Sequence, residues 1–210
     1  MDPTLENLKA GVRRFRSEVY PDRAEIYARA VTETQRPHTL FVACADARVD
    51  PIELTQSAPG EVFVLRNIGN MVPAYGEMLG GNSAVIEFAV SSLKVQHIVI
   101  CGHTDCGAMK ALLRPESVKA MPTVTRWLTN AHAALTVAET LHKKVAQQRE
   151  LIATLTEQNV LLQLQHLKTH PSVAGAMAMG ELTVSGWVYD IGHGQVSIAE
   201  NGQRVFTPLA

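Results

Sequence analysis

Three short stretches constrain the fold most: "HTLFVA" at 38–43, "EVFVLR" at 61–66 and "HIVICG" at 97–102. Their centres are apolar runs without the polar alternation of a strand that has one face in water, so each reads as a strand covered on both faces. Between the second and third, Ala84, Val85, Phe88, Ala89 and Leu93 repeat at helical spacing from Asn82 onward. Strand, helix and strand in alternation predict a parallel sheet with right-handed crossovers. The expected fold is α/β, a single domain with a central, mainly parallel β-sheet flanked by helices.

The rest of the chain decorates that sheet. Leu5, Leu8, Val12 and Phe15 predict an amphipathic helix over 4–17, with a second helix after Pro21. This N-terminal helical arm, residues 1–36, needs an apolar surface to cover, and 37–210 is the expected core. Asp50-Pro51 signals a helix start, and the glycine-containing stretch 67–81 a long loop. Helices are expected over 107–113, 123–146 and 149–169, and from Pro171 to about Gly180. Two strands flanking Gly192-His193-Gly194 predict a C-terminal antiparallel hairpin, with a second tight turn at Asn201-Gly202.

Composition excludes several function classes. The net charge of −1 gives no basic field for nucleic acid or an anionic membrane. Arg13, Arg14 and Arg16, and His142, Lys143 and Lys144, are expected on solvated helix faces. No window approaches a membrane span, and the opening "MDPTLENLKAGVRRF" does not read as a secretory signal. Three cysteines are an odd number and do not make a disulfide framework, so a cytoplasmic setting is expected.

The chemistry sits where strands end. "FVACADARVD" carries Cys44, Asp46 and Arg48, and "VICGHTDCGAM" carries His103 and Cys106. Ligands of open α/β sheets bind outside the carboxyl ends of the strands, where these residues meet if the two strands are neighbours. Two thiolates and one imidazole suit Zn²⁺, and three protein ligands leave a position for water or substrate. Arg48 is spaced to hold Asp46 through a bidentate pair. So held, Asp46 is free to accept a hydrogen bond beside the metal, although it is also a candidate fourth ligand in a closed form. Cys101 reads as core. His38, His97, His132, His142, His166, His170 and His193 read as surface or internally satisfied histidines.

C-x-D-x-R after one strand and H-x-x-C-G after another, with "PGEVFVLRNIGNMVP", "LKTHPSV" and "GWVYDI", resemble the β-class carbonic anhydrases over nearly the whole chain. The resemblance implies one Zn²⁺ per chain on Cys44, His103 and Cys106, with Asp46 and Arg48 as catalytic dyad. It implies reversible hydration of carbon dioxide to bicarbonate and a proton by attack of zinc-bound hydroxide. It places Gln35, Phe63, Ile68, Phe88 and Gly107 around the substrate, Gln35 reaching into a partner subunit. An arm embracing that partner implies at least a homodimer, with tetramers and octamers open.

Three positions depart from the family's usual text. Ala47 stands where a serine is common, and Phe88 where a tyrosine is common. Phe41 stands where members inhibited by bicarbonate carry tryptophan, so an open form with water on zinc is expected. Carbonyl sulfide or carbon disulfide hydrolysis on the same scaffold, and a zinc-binding protein without catalysis, are the alternatives.

Overall fold

The structure is a computed structural model that describes residues 2–77, 79–142, 148–200 and 202–209. It divides into two compact units, Met1–Arg36 and Pro37–Ala210.

The first unit is helical. α1 (Pro3–Arg14) is capped by Asp2, whose carboxylate accepts from the Thr4 N–H, and α2 spans Tyr20–Thr32. The expected break at Pro21 does not occur. The helix instead passes through a wide turn, Phe15–Val19, in which the Tyr20 N–H reaches back to the Phe15 carbonyl. Proline has no N–H and clashes with the carbonyl four residues earlier, and a widened turn absorbs both effects. Phe15, Tyr20 and Tyr27 pack ring to ring at centroid separations of 5.4–6.2 Å. None of the described residues in these helices is buried, and Leu5, Leu8 and Val12 are all exposed. Arg13, Arg14 and Arg16 are exposed as expected, whereas Lys143 and Lys144 lie outside the described residues.

The second unit is the sheet and its cover. In chain order it contains β1 (Thr39–Cys44), α3 (Pro51–Thr55), β2 (Val62–Asn67), α4 (Gly81–Glu87), β3 (His97–His103) and α5 (Gly107–Leu113). There follow α6 (Pro122–Leu128), α7 (His132–Leu141), α8 (Gln148–Leu167), α9 (Pro171–Ala178), β4 (Thr183–Asp190), β5 (Gln195–Glu200) and β6 (Thr207–Pro208). The sheet order is β2-β1-β3-β4-β5-β6, parallel through β4 and antiparallel from β4 to β6. The α/β class, the parallel core and the C-terminal hairpin are as the sequence predicts.

Apolar residues on both faces of β1 explain its central place. Leu40 and Val42 pack with Ile98, Ile100, Ile86 and Val173 on one side, and Phe41 and Ala43 with Val99 and Cys101 on the other. Phe41 meets Trp187 edge to face at 5.6 Å. The helix α8 lies close against β3 and β4 because Gly102 and Gly186 present no side chain there. A Cβ on Gly102 would sit 2.8 Å from Val160 Cγ2, and one on Gly186 2.7 Å from Val160 Cγ1.

One helix expectation is corrected in this unit. The single helix over 123–146 is two, α6 and α7, separated by a tight turn at Thr129–Ala131. There Asn130 donates its side-chain amide to the Trp127 carbonyl at 2.8 Å, competing with the helical ladder. Residues 143–147 of that expected helix, and Asn201 of the second tight turn, lie outside the described residues. The short strand β6 was not expected.

Candidate metal centre

Cys44 is the last residue of β1 and His103 the last of β3. The two strands are hydrogen-bonded parallel neighbours, so both residues arrive at one end of the sheet. Three residues beyond His103, Cys106 is the N-cap of α5. All three are buried, and one ligand atom from each lies within 4.8 Å of the others. The sequence places His103 in the loop after its strand. The structure makes it part of the strand, at 0% exposure.

Hydrogen bonds fix how His103 faces the cysteines. Its Nδ1–H donates to the Thr104 carbonyl at 2.8 Å, which assigns the proton to Nδ1 and leaves a lone pair on Nε2. Nε2 is buried and has no hydrogen-bond partner. A buried acceptor without a partner is costly, and a metal ion is the group that satisfies it. Thr104 is itself anchored to the end of β4, its Oγ1 donating to Asp190 and accepting from the Ile191 N–H.

The two thiols act as a pair. A hydrogen bond from Cys106 depresses the Cys44 pKa, with the backbone N–H groups of Gly69 and Asp46 adding to the effect. Sharing that hydrogen bond, together with burial, raises Cys106 well above an ordinary thiol. One thiolate is thus already favoured, and a cation is needed to favour the second. Cys101, in the strand interior, is pushed up to about 12 by burial and belongs to the core.

Asp46 and Arg48 form the expected bidentate pair. Arg48 Nε donates to Asp46 Oδ1 at 2.9 Å and Nη2 to Oδ2 at 2.8 Å, and the Arg48 backbone N–H adds a third bond to Oδ1 at 3.0 Å. Arg48 thereby holds the Asp46 carboxyl well below the usual carboxylate range. Asp46 Oδ2 lies 3.9 Å from His103 Nε2, at the border of the thiol–imidazole cluster. Ala47 is exposed and the pair is intact beside it.

The remaining candidates are spread out. Phe63, on β2, packs against the core, and the Phe88 ring lies 6.2 Å from it, half exposed. Ile68 is exposed and lines an apolar groove of about 940 Å³ with Ala45, Asn67, Pro73 and Trp127. Phe63, Phe88 and Gly107 do not line that groove. Gly107 opens α5, and a Cβ there would meet no atom within 4 Å. Gln35 lies in the first unit, beyond α2, and is exposed.

Several supporting residues escape the sequence reading. Arg66, on β2, donates to the backbone carbonyls of Cys44 at 3.1 Å and Asp46 at 2.7 Å, clamping the turn that carries the dyad. A charged residue at the end of an apolar strand was the available signal. Asn159 and Gln163, buried on α8, hold the turn at Gly69, where φ is 74°. Asn159 Nδ2 donates to the Gly69 carbonyl at 3.0 Å, and Gln163 Oε1 accepts from the Val72 N–H at 2.8 Å. The many polar residues of α8 hide these two in the sequence, and their partners are about 90 residues away.

A family model described as carbonic anhydrase matches residues 39–196, a stretch that holds the three ligand candidates and the dyad. The chain belongs to the carbonic anhydrase family. The enzyme named carbonic anhydrase from Pseudomonas aeruginosa is 44% identical over 206 residues, covering 98% of this chain and 92% of that one. The solved β-carbonic anhydrase CcaA superposes with a TM-score of 0.93 at 33% identity, covering 99% of this chain and 92% of that one. One of two tetrameric β-carbonic anhydrases from Sordaria macrospora aligns at 29% identity with a TM-score of 0.71, covering 99% and 96%. These relatives place the chain in the β class of carbonic anhydrases and make it a lyase. Its Cys44, His103 and Cys106 form a group able to hold a metal ion. No helix among the described residues is long and apolar enough to cross a membrane.

Proposed function

We propose that this carbonic anhydrase interconverts carbon dioxide and bicarbonate at a zinc ion held by Cys44, His103 and Cys106. The supporting observation is the buried, partnerless Nε2 of His103, within 4.8 Å of two cysteine sulfurs and 3.9 Å from an ionised carboxylate. Zinc bound by these residues would supply the Lewis acidity that makes water nucleophilic near neutral pH, an effect for which carbonic anhydrases are themselves the standard illustration.

The chain's own groups define the rest. Two thiolates and a neutral imidazole balance the charge of a divalent cation and leave it one place short of four protein ligands. Asp46, ionised on Arg48, is an acceptor only, so it orients the reacting water by taking a hydrogen bond and gives it no proton. With three hydrogen bonds from Arg48, Asp46 is turned to the guanidinium, which supports the open arrangement. Carbon dioxide has no charge and few hydrogen-bonding demands, and the exposed Ile68 beside Trp127 suits it. Phe63, Phe88, Gly107 and Gln35 are proposed to complete the substrate pocket in an oligomer. The apolar residues left exposed on the N-terminal helices support a homodimer or larger assembly. A reducing, cytoplasmic setting fits a site that needs both thiols free.

The test is a side-by-side assay of zinc-loaded protein with carbon dioxide, carbonyl sulfide and carbon disulfide. Hydration of carbon dioxide is expected to dominate, and to vanish with the metal in Cys44→Ala. Faster turnover of either sulfur compound would reassign the substrate, and zinc-loaded protein without any turnover would mark a non-catalytic homologue.

A further inference from the structure

Arg48 serves a second carboxylate. Its Nη1 donates to Asp105 Oδ2 at 3.0 Å, and Nη2 lies 3.4 Å from the Asp105 carbonyl. Lys110, one turn into α5, pairs with the other oxygen of Asp105. Asp46, Arg48, Asp105 and Lys110 therefore alternate in charge along one line.

Asp105 occupies a backbone conformation that few residue types other than glycine, asparagine and aspartate adopt. Its φ is 61°, in the left-handed region that favours glycine. It sits between His103 and Cys106, so both ends of its backbone are fixed by the cluster. A residue kept there at a conformational cost suggests a task for its side chain.

The surroundings indicate that task. Arg48 is half exposed, and a single exposed ion pair rarely holds a long side chain. Its outer side faces a cleft of about 1040 Å³ that Asp105 and Lys110 also line, together with the carboxylates Glu157 and Asp190. Without Asp105, the guanidinium can swing toward those groups and away from Asp46. Asp46 would then keep only the Arg48 backbone N–H, with its Oδ2 3.9 Å from a metal-facing atom. Ala47, between the two members of the dyad, offers no polar side chain to restrain it.

We infer that Asp105 is a positioning residue that braces Arg48 from outside, so that Asp46 stays on the guanidinium and off the metal. This inference rests on the proposed metal site. Its test uses the full-length protein loaded with cobalt(II) in place of zinc, as wild type, Asp105→Gly and Asp105→Asn. Glycine removes the carboxylate and relieves the backbone, whereas asparagine keeps the shape and drops the charge. The visible spectrum is followed during titration with thiocyanate, an anion that needs an open metal position.

Wild type is expected to bind one cobalt per chain and to respond to thiocyanate. Asp105→Gly is expected to bind cobalt equally but to take thiocyanate on the order of tenfold more weakly, the usual scale for losing an outer partner of a metal site. Asp105→Asn should fall between the two, and adding Asp46→Asn to Asp105→Gly should restore the response. Unchanged thiocyanate affinity in both Asp105 variants would overturn the inference. Weaker binding that Asp46→Asn does not restore would also overturn it, because the cause would then be structural damage. Wild type that fails to take up stoichiometric cobalt would instead overturn the metal site itself, and the inference with it.

Discussion

Replacing Asn159 by leucine tests whether the metal centre depends on a helix outside it. Asn159 is 1% exposed on α8, donates to the Gly69 carbonyl at 3.0 Å and accepts from Gln163 Nε2 at 2.9 Å. Leucine has the same branched skeleton and somewhat greater bulk, so the change removes hydrogen bonds without opening a cavity. Gln163 Nε2 keeps the Asn130 carbonyl at 3.2 Å, but the Gly69 carbonyl loses the Asn159 donor. Orphaning one buried acceptor costs about 1–3 kcal/mol. At about 2–4 °C per kcal/mol for a chain of this size, Tm should fall by roughly 2–12 °C. The second consequence is specific to the site. The Gly69 N–H supports the Cys44 thiolate, so a loosened turn should weaken zinc binding by about tenfold or more. Thermal unfolding measures the first effect, and competition with a chromophoric chelator the second. A lower Tm with unchanged zinc affinity would refute the link from α8 to Cys44, and no change in either would refute the network.

Other outcomes follow from the same geometry. Gly69→Ala places a Cβ 2.9 Å from Ala108 Cβ in a backbone with φ of 74°, and should cost about 1–3 kcal/mol of strain while lowering metal affinity. Cys101→Ala should leave one metal per chain and an unchanged metal spectrum, because its thiol is protonated core; a lost metal would make it a ligand. The Cys44–Cys106 pair holds one proton near neutral pH, since Cys44 is depressed and Cys106 raised. Zinc uptake should therefore release about one proton, and affinity should rise about tenfold per pH unit there and weaken as pH falls. Calorimetry in buffers of different ionisation heat counts that proton, and a count of zero would contradict the paired-thiol description.

The sheet was legible because its strands are apolar on both faces, a pattern set by local sequence alone. The candidate ligands were legible because the end of a parallel strand is where chemistry collects: Cys44 and His103 each end such a strand, and Cys106 follows closely. The dyad was readable from a spacing of two residues. What stayed hidden lies across the chain. Arg66 reaches back 20 residues to the Asp46 carbonyl, and Asn159 reaches 90 to Gly69. Asp105 carries no signal of its own within H-x-x-C, and only the fold sets it against Arg48, 57 residues earlier. The turn at Thr129–Ala131 was missed because the apolar spacing continues through it, and only the Asn130 side chain breaks the ladder. What covers the exposed apolar residues of α1 is likewise not encoded in one chain's pattern.

The central claim is that carbon dioxide hydration depends on a metal held by Cys44, His103 and Cys106. Its most direct test is stopped-flow hydration of carbon dioxide by the full-length protein during stepwise zinc return after chelation. The rate is expected to climb in proportion to bound zinc and to level off at one zinc per chain. A rate that is already full in metal-free protein, or that stays at background with the site filled, would contradict the account.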